Sequence, residues 1–279
     1  MPLVQNQSDA QQKEPERREV LSYSRLSVVS DCAEKYRLRY VEGIRGPRGI
    51  RMLVGSAVHK GIEFNLRHMA MNDLAMADLD AVQTVTRDAL ATDWKKGEVW
   101  YGADINEEAA MAEAVDAAID YTTTHFAEIA PQLEPEAMEV QGTITTPLGF
   151  DIALVKDIIE RDGTVRDTKT RTRKANEHEA ALSDQLALYA IHSELQGKPA
   201  PRVVLDVLVR TRGGKAYAQT LTAPPPSKGR QDRVVALLER AHLSIASGVF
   251  MPNPGSNLCS RSYCEFAQMG ICPFWSGRE

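Results

Sequence analysis

The chain lacks long hydrophobic stretches. None of its apolar runs approaches the roughly 18 residues that a membrane-spanning helix needs. Residues 1–19 are polar and charged, and they lack the apolar centre of a signal peptide. We therefore predict a cytoplasmic protein without membrane association. Structural disulfides are rare in that compartment, so the four cysteines of the chain are expected to have another role.

The sequence also lacks a glycine-rich phosphate loop and an overall excess of basic residues. Without a Walker-type loop, the chain encodes no ATPase or helicase motor. The formal net charge is −5, so charge alone does not indicate a nucleic-acid-binding protein. The charge is unevenly distributed: Asp104 to Glu139 contains ten acidic residues and no Lys or Arg, whereas 17–51 and 161–174 are basic. We expect the acidic stretch to form a helical insertion that faces solvent.

The segment 150–170 has the pattern of a β-hairpin. Residues 150–160 and 164–170 are rich in Ile, Val, Phe and Thr, as strands are, and Arg161-Asp162-Gly163 between them is a turn signal. A three-residue loop would set Asp157 directly opposite Asp167, with Cβ atoms about 4.5–5.5 Å apart. A two-residue loop would instead turn Asp157 to the other face. Lys169 shares a face with Asp167 because side chains alternate along a strand.

Two facing carboxylates and an ammonium group can hold a divalent cation and position a water against a phosphodiester. Hard oxygen ligands favour Mg²⁺ or Mn²⁺. Asp151 is a rival for the first carboxylate, but it lies six residues from Asp157 on the same strand, roughly 20 Å away. The alternative interpretation is an exposed hairpin with ordinary surface charges, since Asp-x-Lys alone is a weak motif.

Four further features accompany the hairpin in a fixed order. Cys32 comes first, followed by Gly55-Ser-Ala-Val-His59; after the hairpin come Gln185-Leu-Ala-Leu-Tyr189 and then a C-terminal group of cysteines, namely Cys259, Cys264 and Cys272. In this order the chain resembles the RecB-like branch of the PD-(D/E)XK nuclease superfamily. More narrowly, it is similar to iron–sulfur-containing members such as AddB-type nuclease domains and CRISPR-associated RecB-like exonucleases. The resemblance covers about residues 20–275.

The resemblance implies a role for each matching residue. Metal ligands would be the two carboxylates, an imidazole and a backbone carbonyl, supplied by Asp157, Asp167, His59 and Thr168. Lys169 would orient the attacking water and steady charge on the phosphate. Gln185 and Tyr189, one helical turn apart, would contact the scissile strand or Lys169. Glu63 shares the His59 face and is a second-tier candidate.

Each of these residues also has a structural interpretation. His59 alone is typical of a half-buried helix histidine. Gln185 and Tyr189 alone resemble a surface pair, or Tyr189 a core aromatic within an amphipathic helix. The chain also departs from the family pattern: Lys156 precedes Asp157 where relatives often have Gly.

The four cysteines suit one four-thiolate site, either an iron–sulfur cluster or zinc. Spacing alone does not separate the two metals, and buried or disulfide-bonded cysteines are a further alternative. One distant cysteine and a C-terminal trio match the iron–sulfur nucleases, which implies a [4Fe–4S] cluster on Cys32, Cys259, Cys264 and Cys272. The C-x4-C-x7-C spacing is looser than the C-x2-C-x5-C of those relatives. The cluster would pin the C-terminal tail to the first helix.

The chain is long enough for one elaborate domain. We predict a disordered tail at 1–19 and a single nuclease domain at 20–279, with a helical insertion at about 66–135 and a cysteine-rich tail at 250–279. Strands mixed with helices indicate an α/β fold. The resemblance implies a restriction-endonuclease-like core with a central mixed β-sheet flanked by helices.

The leading hypothesis is a metal-dependent DNA exonuclease that acts on single strands or duplex ends, in recombination, repair, phage DNA metabolism or CRISPR-type processing. Arg171, Arg173 and Lys174 would contact phosphates, although they also fit an ordinary solvated strand end. Two alternatives stay open: a catalytically silent iron–sulfur DNA-binding or scaffold subunit, and a structure-specific endonuclease on the same fold. A helicase or recombinase partner and an oligomer are both compatible with the sequence.

Overall fold

The computed structural model describes residues 18–101 and 105–277. Eight strands are present there: β1 (Glu19–Ser22), β2 (Arg48–Gly49), β3 (Val99–Trp100), β4 (Pro135–Thr145), β5 (Phe150–Glu160), β6 (Val165–Arg171), β7 (Val203–Arg210) and β8 (Ala216–Ala223). The helices are α1 (Tyr23–Asp31), α2 (Ala33–Tyr36), α3 (Ile50–Met71), α4 (Leu79–Trp94), α5 (Glu107–Thr124), α6 (Glu179–Leu182), α7 (Asp184–Leu195), α8 (Lys228–Ser247) and α9 (Glu265–Gln268).

Six strands form one mixed sheet in the order β1-β5-β6-β7-β8, and β4 pairs with β5. The pairs β1–β5 and β6–β7 are parallel, whereas β4–β5, β5–β6 and β7–β8 are antiparallel. β1 pairs with β5 over 150–153, and β6 pairs with it only at 158 and 159. Neither β1 nor β6 pairs with β5 over 154–157, and the candidate active site described below lies at this interval.

Helices cover both faces of the sheet. On one face, α1, α7 and α8 bury Leu186, Leu188 and Leu238 against apolar side chains of β5 and β7. On the other face, α3, α4 and α5 form a second core with Ile158 and Leu208. β7 is buried on both faces, as its run of apolar residues interrupted only by Asp206 favours. The α/β fold with a central mixed sheet flanked by helices is therefore confirmed.

Local sequence signals fix the helix ends. The side chains of Ser22, Asp78 and Ser183 cap α1, α4 and α7 by accepting a backbone N–H from the first turn. Gly248 ends α8 in a left-handed conformation with φ of 69°. Cys32 was expected to lie within a helix. It lies instead in extended backbone between α1 and α2.

Two of the predicted boundaries meet the structure in different ways. Residues 1–17 of the predicted tail lie outside the described residues, and Glu19 already belongs to β1. The interval 66–135 contains the end of α3, then α4, β3 and α5, and α3 crosses its start without a break. No helix among residues 18–101 and 105–277 combines the length and the apolar composition needed to cross a membrane.

Candidate active site

The β5–β6 hairpin closes through a three-residue loop, as the interpretation of Asp157 and Asp167 as a facing pair requires. The backbone N–H of Glu160 donates to the carbonyl of Thr164 at 3.0 Å, and that of Gly163 donates to the carbonyl of Glu160 at 2.8 Å. Gly163 has φ of 87°, which a side chain would disfavour. Ile158 pairs with Arg166, and the same register sets Asp157 opposite Asp167. The two carboxylates therefore share one face of the hairpin.

The backbone pairing of β5 with β6 ends at Ile158. Beyond this residue, a side chain of β5 takes part in the hydrogen bonding between the two strands. The carboxylate of Asp157 accepts the backbone N–H of Thr168 at 3.0 Å. The carboxylate of Asp167 is only 1% exposed as a side chain, and it accepts Lys169 Nζ at 2.8 Å. This opening in the sheet leaves room for groups from other elements.

His59 and Glu139 complete the group from α3 and β4. His59 Nε2 lies 3.0 Å from the Thr168 carbonyl oxygen. His59 Nδ1 lies 3.6 Å from Asp157 Oδ2 and 3.9 Å from Glu139 Oε1. One ligand atom from each of His59, Glu139 and Asp157 lies within 4.8 Å of the other two, a spacing that suits a single cation.

Sequence reasoning missed Glu139. It lies on β4 between Met138, which pairs with Ile158, and Val140, which pairs with Lys156, and so it is directly across from Asp157. Its φ of 51° is left-handed, which is uncommon for a residue with a side chain. The sequence predicts a strand near 137–146, and Glu139 lies in β4 as that prediction requires, although the acidic stretch before it is expected to form a solvent-facing helical insertion. A prediction of how β4 pairs with β5 would have placed Glu139 opposite Asp157.

Burial perturbs the titration of the grouped side chains. Burial raises the pKa of Asp167 to about 7 and that of Asp157 to about 6, against the opposing effect of Lys169. Burial and Lys169 together lower the pKa of His59. Burial alone would lower the pKa of Lys169, but the two aspartates raise it above its usual value. A cation at this site would favour the ionised carboxylates, so the site is built to accept positive charge.

A cleft of about 730 Å³ gives access to these residues. Gln185 and Tyr189 of α7 line it together with Lys169, and Gln185 Nε2 donates to the Tyr189 hydroxyl at 2.7 Å. Burial, followed by the charge of Asp157, raises the pKa of Tyr189, so its hydroxyl stays protonated. Glu63 is bound instead to Lys60 and Arg67 on the surface of α3.

The three basic residues proposed for phosphate contacts differ in their surroundings. Arg171 forms an ion pair with Glu179, so its guanidinium group is already engaged. Arg173 and Lys174 are exposed in the segment that follows β6. Asp151, the rival for the first carboxylate, binds Arg18 at 2.8 Å at the start of β5.

A buried ion network holds β6 from the face opposite Asp167. Arg166 donates to Glu160 and to Asp206 of β7, each at 2.8 Å, and Thr220 of β8 donates to Asp206 at 2.7 Å. His125 is buried nearby, and its Nε2 has no hydrogen-bond partner among the described residues. Burial lowers the pKa of His125 to about 4. The network ties four neighbouring strands, β5 to β8, together at the level of the site.

The four cysteines lie together at the end of the molecule formed by α2 and α9. All four are free thiols, and Cys264 is buried with Phe266 and Leu38 in a small separate core. Burial raises the pKa of Cys272, and the other three thiols raise it further, which shows that they are its neighbours. The C-terminal segment reaches Cys32 through hydrogen bonds, including one from the N–H of Ala33 to the carbonyl of Met251 at 3.2 Å.

Comparisons with known proteins agree with this geometry. The model of a family described as the PD-(D/E)XK nuclease superfamily matches residues 20–273. The fold is similar to the crystal structure of a protein from Eubacterium rectale named "Putative exonuclease", with 12% identity over 86% of this chain and 87% of that chain and a TM-score of 0.55. SSO0001, also solved by crystallography, is 16% identical over 88% of this chain and 94% of that chain, and its TM-score of 0.33 adds no argument. No curated protein matches the chain. The matched residues span nearly the whole domain, and on that basis the chain belongs to the PD-(D/E)XK nuclease superfamily.

Proposed function

We propose that this protein is a Mg²⁺- or Mn²⁺-dependent DNA exonuclease of the RecB-like, iron–sulfur-containing branch. The observation that carries the proposal is the convergence of Asp157, Asp167 and Lys169 at the point where β5 and β6 part. Membership of a nuclease superfamily supports hydrolysis of phosphodiester bonds. The fold shared with a protein named as an exonuclease agrees with an end-directed reaction.

The donor set fits a hard divalent cation. Asp157 and Glu139 offer carboxylate oxygens, Thr168 offers a carbonyl oxygen and His59 offers a ring nitrogen. Oxygen donors suit Mg²⁺ and Mn²⁺, and an imidazole in the set favours the transition metal of the two. When bound, such a cation lowers the pKa of a water and offsets charge on the phosphate oxygens.

The remaining residues have roles that their own chemistry supports. Lys169 stays protonated beside Asp167, so its ammonium group can steady negative charge on the phosphate and orient the attacking water. Tyr189 keeps its proton and, with Gln185, presents hydrogen-bonding groups to a strand in the cleft. Arg173 and Lys174 are exposed and suited to phosphate contacts, whereas Arg171 would first have to leave Glu179.

The cysteine group supports a four-thiolate metal site. The separation of Cys32 from a C-terminal trio supports a [4Fe–4S] cluster more than zinc, because zinc sites usually use tighter pairs of cysteines. Such a cluster would act structurally by fastening the C-terminal segment to α2.

Cleavage of labelled linear single-stranded DNA tests the proposal. The protein is purified without oxygen and assayed with Mg²⁺, Mn²⁺ or EDTA, using 5′-labelled and 3′-labelled strands. We expect metal-dependent shortening that Asp167→Ala abolishes, whereas the matched control Asp151→Ala retains it. Circular single-stranded DNA should stay intact, and its cleavage would indicate an endonuclease. Full activity of Asp167→Ala would refute the site, and the absence of cleavage by folded, cluster-loaded protein would indicate a binding or scaffold subunit.

A further inference from the structure

A second groove, larger than the cleft, opens at the N-terminal end of α3. Its volume is about 1190 Å³, and its walls come from 35–52, 96–101 and 262–268. None of the residues that line it also lines the cleft around Lys169. The pairing of β2 with β3, reinforced by a hydrogen bond from the N–H of Arg48 to the carbonyl of Glu98 at 2.9 Å, holds two of these walls together.

The groove is positively charged although the whole chain is not. Six basic side chains line it, against two acidic ones, Glu98 and Glu265. Glu265 is already paired with Lys35 and Arg39. Arg45 is exposed, and no ion pair or hydrogen bond of its side chain occurs within the described part of the chain. Lys96 forms an ion pair with Asp93, which an anionic partner would have to replace. The charge of Arg45 is therefore available to an anionic partner, and the proposed catalytic roles use none of the basic residues of the groove.

Aromatic rings stand among these charges. Trp100, Tyr101 and Tyr263 are partly or largely exposed in the groove wall. Tyr101 is supported from behind by Trp94, whose ring lies 6.5 Å away and nearly parallel to it. The guanidinium group of Arg51 lies 5.5 Å from the centre of the Tyr263 ring. Interleaved basic and aromatic side chains are typical of surfaces that bind unpaired nucleic acid, because the rings stack on bases while the cations contact phosphates.

The groove and the cleft adjoin along one helix. Met52 of α3 lines the groove, and Ser56, four residues later, lines the cleft that holds His59. Four helical residues span about 6 Å. Asp93 bridges the two sites, since it accepts Ser56 Oγ at 3.1 Å and Lys96 Nζ at 2.7 Å. A flexible polyanion that leaves one site therefore reaches the other without crossing the body of the protein.

We propose that this groove binds single-stranded DNA on one side of the bond that is cut. The proposal rests on the nuclease function to the extent that the strand held here is the one that enters the cleft. Arg45, Arg51 and Lys96 would contact phosphates, and Trp100 would stack on a base. Duplex DNA fits these features less well, because its bases are already stacked on each other and leave nothing for the rings to contact.

Fluorescence anisotropy with labelled oligo(dT) of about 30 nucleotides tests the groove in EDTA, where binding is measured without cleavage. The test variant is Arg45→Gln/Lys96→Gln, and the matched control is Arg212→Gln/Lys215→Gln, which removes the same charge from the exposed β7–β8 turn. We expect about tenfold weaker binding or more, and a salt slope that falls by about 1.4 for two lost phosphate contacts, only in the test variant. Trp100→Ala should weaken binding by about 5- to 150-fold.

The outcomes separate this proposal from the proposed function. Groove variants that bind oligo(dT) as the wild type does would overturn it, even if cleavage still depends on Asp167. Equal affinity for a duplex of the same length, or tighter binding of oligo(rU), would overturn the assignment to single-stranded DNA. If the groove variants lose binding and the wild type never cleaves, the groove stands and the nuclease function fails. A circular dichroism melt of each variant shows that it is folded.

Discussion

The β5–β6 hairpin and the cysteine region are built in opposite ways. In the hairpin, strand register sets Asp157 opposite Asp167, and hydrogen bonds between near neighbours hold both carboxylates. In the cysteine region, the described part of the C-terminal segment, 250–277, contains only the four-residue α9 as helix or strand, and the core of the region is the small group around Phe266. One region is shaped by the sheet, whereas the other is made of turns that surround four free thiols.

The hairpin is therefore preorganised, whereas we expect the structure of the cysteine region to depend on a bound ligand. A site fixed by strand pairing keeps its shape whether or not a cation is present, and its cost is the burial of charge, visible in the raised pKa of Asp167. Thiols drawn from distant parts of the chain are held together only weakly by the polypeptide. Binding energy of a cluster then becomes folding energy for that segment. Mutations in the hairpin should therefore reduce cleavage, whereas mutations in the cysteine region should reduce stability.

The largest effect is expected for Asp157→Asn. Cleavage should fall by about 10³-fold, which corresponds to about 4 kcal/mol, because the cation loses a ligand. The unfolding free energy of the metal-free protein should hold steady or rise, since a buried carboxylate is removed. Cleavage and urea unfolding measured on one preparation check both expectations. A large loss of stability would contradict the view that the sheet alone shapes this site.

Cys272→Ser should give the reverse pattern. Loss of one thiolate should remove the cluster and cost roughly 4 kcal/mol of stability, while folded molecules still cleave. The iron content, the visible absorption and the melting temperature are the measurements. Asn257→Ala, exposed in the same segment, is the control. Normal stability without iron would show that the C-terminal segment folds without a cluster.

Acid should weaken the sheet platform through His125. Its pKa is about 4 in the folded protein, against 6.5 for an ordinary histidine, so the unfolded chain binds more protons between these limits. Stability from this residue is complete above pH 6.5 and is lost as the pH falls toward 4, by about 3 kcal/mol. His125→Phe should lack this loss, whereas His178→Phe, at an exposed position, should retain it. Unfolding free energies at pH 7 and pH 4.5 decide; equal pH dependence in all three proteins would contradict the expectation.

The smallest effect is expected for Glu139→Gln. Removal of one of three converging ligands should weaken Mn²⁺ binding and cleavage by about 10- to 100-fold. Glu136→Gln, exposed on the same strand, should change neither. Titration calorimetry with Mn²⁺ measures the binding. Unchanged affinity in Glu139→Gln would remove β4 from the metal site.

The sequence predicted the hairpin well because its geometry is local. The turn signal left two loop lengths open, and the three-residue loop that the structure adopts sets Asp157 opposite Asp167. Glu139 was not predicted as a site residue because its position depends on the pairing of β4 with β5 and on a left-handed backbone that no local sequence pattern indicates. The second groove was not predicted for a similar reason, because tertiary packing brings its three walls together from distant parts of the chain.

Lys156 shows a different limit. It stands where relatives often have Gly, yet the residue is 3% exposed and donates to Ser193 Oγ of α7 at 2.6 Å. Burial lowers its pKa. The residue contacts the helix that carries Tyr189, and its side chain binds Ser193 rather than the proposed metal ligands. A pattern comparison registers such a substitution, but only packing tells what the new side chain touches.

The pairing of β1 with β5 has a consequence for the order of events during synthesis. Glu19 is translated early, but its partner Phe150 emerges more than a hundred residues later, roughly ten seconds at typical translation rates. Cys32 waits longer still, because the other three thiols lie in the last part of the chain. The N-terminal strand therefore has no native partner while most of the domain is being made. The last strand of the sheet ends at Ala223, so the sheet can form before Cys259, Cys264 and Cys272 are available to meet Cys32.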